Sequence, residues 1–183
     1  MDEGMPETPF SWGTFELAFL DELAISLHGM RVLEICAGNG LLASLLRERG
    51  VDIHPTTLFR TMDGHRLGLF CEIEELDARV AADRYRDTHD ILLMCWPDPD
   101  EVAMQACLLW GEGRPVVFIG EVTDLEHGHL GGCASDLFFE LSQETRQFDT
   151  YVSARSGLDR ASVRKLLPGA SEIYRSKARR LAF

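Results

Sequence analysis

Phe15, Ala18, Phe19, Leu23 and Leu27 recur at helical spacing, which predicts an amphipathic helix over residues 14–27 with Gly29 as its stop. A short apolar run at 31–36 then leads into a glycine-rich turn and predicts a strand. Residues 41–49 are rich in good helix formers and close on Gly50, so a second helix is expected there. Further strands are predicted at 51–57, 67–73, 90–95 and 115–119, with helices at 78–85, 100–110 and 135–142 between and after them. The tail carries weaker strand signals at 149–154 and 172–183, with a short helix at 159–167 between them.

Strand and helix therefore alternate, and the 90–95 strand is apolar on both faces. Strands of that kind belong in a parallel sheet covered by helices on both sides. The expected fold is a doubly wound, Rossmann-like α/β domain occupying residues 1–183 as one unit. Residues 1–12, with their prolines and acidic side chains, read as a loose N-terminal arm ahead of a helix at 13–28. The polar stretch 121–136 reads as a lid loop.

Composition narrows the function. A chain of 183 residues is long enough to close one hydrophobic core. A formal net charge of -12 excludes a broad, non-specific hold on nucleic acid, which needs clustered Lys and Arg. The cationic residues that exist gather late (Arg155, Arg160, Arg164, Lys165, Arg175, Lys177, Arg179, Arg180), as a solvated face or as a local site for an anionic substrate. No run approaches the roughly 18 apolar residues of a membrane helix, and no signal peptide opens the chain. Five cysteines without C-x-x-C spacing, three of them in apolar runs, fit reduced, buried thiols of a cytoplasmic protein. Homo-oligomer formation is left open.

The chemistry is concentrated at strand ends. Glycines 38 and 40 in the turn after the first strand let backbone amides approach a ligand, and the following helix N-terminus adds partial positive charge. Such a turn serves a nucleotide, a flavin or a purely structural bend equally well. Asp77 precedes the 78–85 helix, where Asp is a favoured N-cap. Cys95-Trp-Pro-Asp-Pro-Asp100 closes the most apolar strand, and ligands of open parallel sheets bind beyond such carboxyl ends. Trp96 there suits stacking on an aromatic or cationic group, and Asp98 suits a general base or a helix cap. Glu121 ends the fifth strand as a candidate substrate-facing acid. His127 and His129 flank a glycine near Cys133 and Asp136, a spacing that matches no metal motif. They read as exposed loop histidines or as a general base. Ser135 and Asp136 suit the cap of the helix that follows them.

Val32-Leu-Glu-Ile-Cys-Ala-Gly-Asn-Gly40 resembles the first motif of class I S-adenosylmethionine (SAM)-dependent methyltransferases, with Cys36 in place of the first motif glycine. The resemblance implies SAM as cofactor, Glu34 at its amino group, and the backbone of Ala37, Gly38, Asn39 and Gly40 around its methionine part. It further implies contacts from Thr57, Asp77, Ala78 and Cys95. The family's ribose-gripping acid ends the second strand, where this chain has Thr57; Asp52 comes earlier and Asp63 later. The turn after the fourth strand resembles the family's fourth motif, but Trp96 replaces the acid or amide that holds a nucleophilic nitrogen. The stretch Ile119-Gly-Glu121 with Gly131-Gly-Cys133 and Asp136-Leu-Phe-Phe139 is similar to that of small methyltransferase-like proteins without an assigned substrate. The implied activity is methyl transfer to a small molecule at an N or O acceptor, with Trp96, Asp98 and Glu121 at the catalytic end. The alternatives are SAM-dependent chemistry other than methylation, and a non-catalytic binding partner.

Overall fold

The computed structural model describes residues 14–59, 65–153 and 157–181. The elements run α1 (Leu17–Leu27), β1 (Arg31–Ile35), α2 (Leu41–Arg47), β2 (Asp52–Thr57), β3 (Glu74–Glu75), α3 (Ala78–Tyr85), β4 (Ile91–Cys95) and α4 (Glu101–Trp110). They continue with β5 (Val116–Glu121), α5 (Asp136–Glu140), β6 (Ser142–Gln147), β7 (Asp159–Leu166) and α6 (Ala170–Leu181). Seven strands form one sheet in the order β3-β2-β1-β4-β5-β7-β6. Pairing is parallel from β3 through β5, whereas β7 runs antiparallel to both β5 and β6. The expected doubly wound α/β architecture is present.

The two faces of the sheet carry separate cores. Alternation along β1 sends Leu33 and Ile35 toward α3, α4 and α5, where they meet Met94, Met104, Trp110, Phe118 and Phe138. Val32 points the other way, into a cluster with Phe19, Leu23, Leu42 and Leu46 from α1 and α2. Glu34 shares the parity of Val32 and is 1% exposed at the top of that second face. A carboxyl at a position patterned for an apolar side chain marks the strand end as more than core.

Strand order reverses between β1 and β4: the chain first builds outward through β2 and β3, then returns to the other side of β1. Such a switch point leaves a crevice outside the carboxyl ends of the two central strands. Asp77 and Asp100, each accepting a backbone N–H two residues on, start α3 and α4 beside this crevice.

Four expectations fail. The third strand is not 67–73 but the two residues Glu74–Glu75, and His65–Leu67 forms a 3-10 turn instead. The apolar residues of that stretch cover the start of α2: an added Cβ on Gly40 would lie 2.8 Å from the Cys71 sulfur and 2.9 Å from Ile73. The tail is inverted, with 159–167 a strand and 172–183 a helix as far as residue 181; residues 182 and 183 lie outside the described residues. Arg164 explains the first inversion. Its stem is buried, its guanidinium hydrogen-bonds to Ser142 and stacks near Phe138 and Phe139, so a charged residue serves as a core position of β7. The helix after Gly169 starts because Glu112 accepts the Gly169 and Ser171 N–H groups, both at 2.8 Å. That cap comes from the turn before β5 and has no local signature. Residues 149–153 are irregular, 154 lies outside the described residues, and β6 was not foreseen.

Candidate active site

A cavity of about 320 Å³ opens at the switch point. It brings together the ends of β1 (Glu34 to Asn39), β2 (Thr57), β4 (Cys95 to Asp98) and the start of α3 (Asp77, Ala78). These are residues that the sequence singled out from four separate stretches of chain. Gly40 and Glu121 are not among those that line it. Gly40 caps α2 in the left-handed conformation (φ 78°), and the Glu121 carbonyl accepts the Cys133 N–H at 2.9 Å. Asp63 lies outside the described residues. Phe15, Leu58, Leu76 and Cys133 line the cavity without having been anticipated. The segment ahead of α1 and the loops after β2, β3 and β5 bring them there.

The β1 turn is shaped for backbone approach. Cys36, Gly38 and Gly40 all take positive φ (57°, 56° and 78°). A left-handed non-glycine costs on the order of 1 kcal/mol, so Cys36 is held there by its surroundings. The Ala37 N–H donates to the Thr56 carbonyl (3.1 Å), the His65 ring hydrogen-bonds to the Gly38 carbonyl (3.2 Å), and the Phe70 N–H donates to the Asn39 carbonyl (2.9 Å). A Cβ built on Gly38 would meet nothing within 4 Å, and Gly38 is one of the residues that line the cavity.

Glu34 forms the floor. Its Oε2 is buried and has no hydrogen-bond partner among the described residues. Burial lifts its carboxyl from the usual range to about 8, against the pull of Arg47. A buried carboxyl oxygen without a donor is expensive unless a ligand supplies one.

Opposite, the β4 turn holds Trp96 at φ 51°, its N–H donating to the Ile119 carbonyl at 2.7 Å. The Asp98 carbonyl accepts the Ala134 N–H (3.2 Å), which joins this turn to the loop after β5. Burial pushes the thiols of Cys95 and Cys133 up, which disfavours the thiolate form.

The 121–136 stretch is folded on itself. Asp124 and His129 form a two-bond bridge, and the Asp124 carboxylate accepts from the His127 ring at 2.7 Å, which holds its own pKa down. Asp136 receives the Gly131 N–H and the Thr123 hydroxyl. No group of three or more His, Cys, Asp or Glu among the described residues is arranged to hold a metal ion. Gly132 is the tightest point: an added Cβ would lie 2.4 Å from the Thr123 nitrogen and 2.6 Å from the Val122 carbonyl carbon. Gly132→Ala is therefore expected to destabilise the fold by about 2–4 kcal/mol. A lowered midpoint in urea denaturation checks it; an unchanged midpoint shows that the loop yields freely.

No helix among the described residues is long and apolar enough to cross a membrane. No protein-family model and no curated protein matches this chain. Among solved structures, it is similar to a mutant of MtNAS in complex with S-adenosylmethionine, with a TM-score of 0.54 and 13% identity over 82% of this chain and 62% of that one. The mitomycin 7-O-methyltransferase MmcR follows at TM-score 0.46 and 15% identity, over 81% of this chain and 53% of that chain. An O-methyltransferase family protein from Burkholderia thailandensis gives 0.44 and 14%, over 80% and 55%. The chain thus spans less than two thirds of the length of each of these three structures. The strand order with its switch-point cavity, together with the first of these likenesses, gives this chain the fold of the class I SAM-dependent methyltransferases.

Proposed function

We propose that this chain binds SAM in the switch-point cavity and methylates a small molecule at an N or O acceptor. The observation that carries the reading is the buried, partnerless Oε2 of Glu34 on the cavity floor. An amino acid ammonium is the complement of such an oxygen, and the SAM methionine part bears one. The other donors fit as well. The open face of Gly38 admits the methionine part to the backbone, and Asp77 and Ala78 stand where the nucleoside base would reach the start of α3. A cavity of about 320 Å³ is at the small end of the range for ligand sites and suits one nucleoside-sized molecule.

When bound, SAM supplies an activated methyl group on a sulfonium, so the protein's part is positioning and proton removal. Trp96 would orient the acceptor against the β4 turn, and Asp98 would take its proton. Glu121, at the end of β5, would act from outside the cavity lining.

Isothermal titration with SAM and with S-adenosylhomocysteine tests the reading. Binding of both in the micromolar range supports it; no heat at high micromolar ligand overturns it in favour of a non-catalytic binding protein. Thr57 favours one competing reading. A threonine at the end of β2 lacks the two acceptor oxygens with which a carboxylate clamps a ribose, which weakens ribose capture and agrees with SAM-dependent chemistry other than methylation. Mass spectrometry separates the two by detecting a methylated product or S-adenosylhomocysteine-free turnover.

A further inference from the structure

Segment 65–71 takes up three consecutive carbonyls of the β1 turn. The His65 ring hydrogen-bonds to that of Gly38 at 3.2 Å, the Phe70 N–H donates to that of Asn39 at 2.9 Å, and the Cys71 thiol donates to that of Gly40 at 3.4 Å. The chain beyond Cys71 is tied down in turn. Arg47 donates to the Glu72 carbonyl, and the Leu76 N–H donates to the Thr57 carbonyl.

The contact at Gly38 falls on the most invertible peptide of the turn. The Gly40 N–H donates to the Ala37 carbonyl at 2.9 Å, which closes a four-residue turn with Gly38 and Asn39 at its centre. Gly38 takes positive φ (56°) and Asn39 does not, the pattern of a type II′ turn. Turning over the peptide between them gives a type I′ turn, in which both central residues take positive φ. Glycine adopts that conformation freely, and asparagine is among the side chains that tolerate it best. The pair Gly38-Asn39 therefore permits both turns. A carbonyl only accepts, so Nε2 of His65 carries the proton of the bond and selects the orientation with the Gly38 oxygen on its side. In a trans peptide the N–H points opposite to the C=O, so the Asn39 N–H is turned away from His65. Gly38 and Asn39 line the cavity, and His65 does not.

We propose that His65 is a positioning residue for the cofactor: by holding the Gly38 carbonyl it keeps the turn as type II′, so that a ligand carboxylate at this turn faces the N–H side of the peptide and not the Gly38 oxygen. The assignment rests on the reading of the cavity as the SAM site, whose methionine part carries that carboxylate past the turn. In the turned-over peptide the same carboxylate meets an oxygen and is repelled.

Two variants test it. His65→Phe keeps a ring beside Phe59, where the centroids are now 4.8 Å apart, but loses the donor; His65→Gln restores an N–H donor. In His65→Phe, S-adenosylhomocysteine affinity by calorimetry should fall about ten-fold, the scale of one lost hydrogen bond. The amide signals of Asn39 and Gly40 in NMR spectra of the ligand-free variant should broaden or double as the peptide samples both turns. His65→Gln should return affinity and signals to those of the parent. Unchanged affinity or unchanged turn signals in His65→Phe, or a glutamine variant as impaired as the phenylalanine one, overturns the proposal. The two readings fail separately. A parent that binds no S-adenosylhomocysteine, with turn signals that double only in His65→Phe, refutes the SAM site and supports His65 as the latch of the turn; parent binding that His65→Phe leaves intact refutes only the latch.

Discussion

Glu34→Gln is expected to lose at least a hundred-fold in SAM affinity and yet to unfold at a higher temperature than the parent above neutral pH. Both effects come from one atom. The wild-type carboxyl has its folded-state pKa raised to about 8 by burial. Between the ordinary glutamate range and pH 8, the folded chain keeps a proton that the unfolded chain releases. Stability from this group is therefore fully present at acid pH and falls as pH rises through that window, by up to several kcal/mol. A glutamine has no proton to lose, so the stability gap between variant and parent should widen from pH 5 to pH 8 and then level.

The same carboxyl makes cofactor binding proton-linked. At pH 7 Glu34 in the free protein is mostly protonated, whereas an ammonium partner requires the carboxylate. Binding should release close to one proton, visible as a dependence of the calorimetric heat on the ionisation enthalpy of the buffer. SAM affinity should climb from pH 6 to about 8, where the ligand's own α-amino group begins to lose its charge. Flat affinity over that range, or a glutamine variant that binds as the parent does, would remove Glu34 from the site.

The second large effect is expected at Gly38. Gly38→Val should abolish detectable SAM binding while lowering the melting temperature by only a few degrees. The residue sits at φ 56°, so any side chain strains the backbone by about 1–2 kcal/mol. The free protein has room for the isopropyl group, since nothing stands within 4 Å of the added Cβ. Gly38 lines the cavity, so the side chain is expected to block the ligand's approach to the backbone there. Parent-like affinity in this variant, with the fold intact by circular dichroism, would show the glycine turn to be structural only.

The central part of the molecule was legible because its signals are local. β1, β4 and β5 are short apolar runs, and the helices between them keep a 3.6-residue period. The same locality made Glu34, Gly38 and the Trp96 turn stand out, because strand ends in such a sheet converge on one crevice. What stayed hidden depends on distant partners. Arg164 reads as a surface residue until Ser142, Glu144 and two phenylalanines are brought to it. α6 begins on a carboxylate 57 residues away in sequence. Glu74 belongs to a strand only through Thr56, and its side chain is tied to His54, Tyr85 and Arg84, which hold its carboxyl below the usual range. At the site, Phe15 and Cys133 came as additions for the same reason.

The antiparallel insertion of β7 between β5 and β6 has a consequence for synthesis on the ribosome. β5, apolar on both faces, gains its second neighbour only when residues 159–166 have been made. Until then the nascent domain presents Val116 to Ile119 as an open edge, the kind of template that recruits other chains. Translation that pauses before Asp159, or proteolysis that frees a fragment ending there, should therefore yield aggregates more than soluble partial domains. Release of the last two strands replaces this apolar edge with the polar, exposed edge of β6.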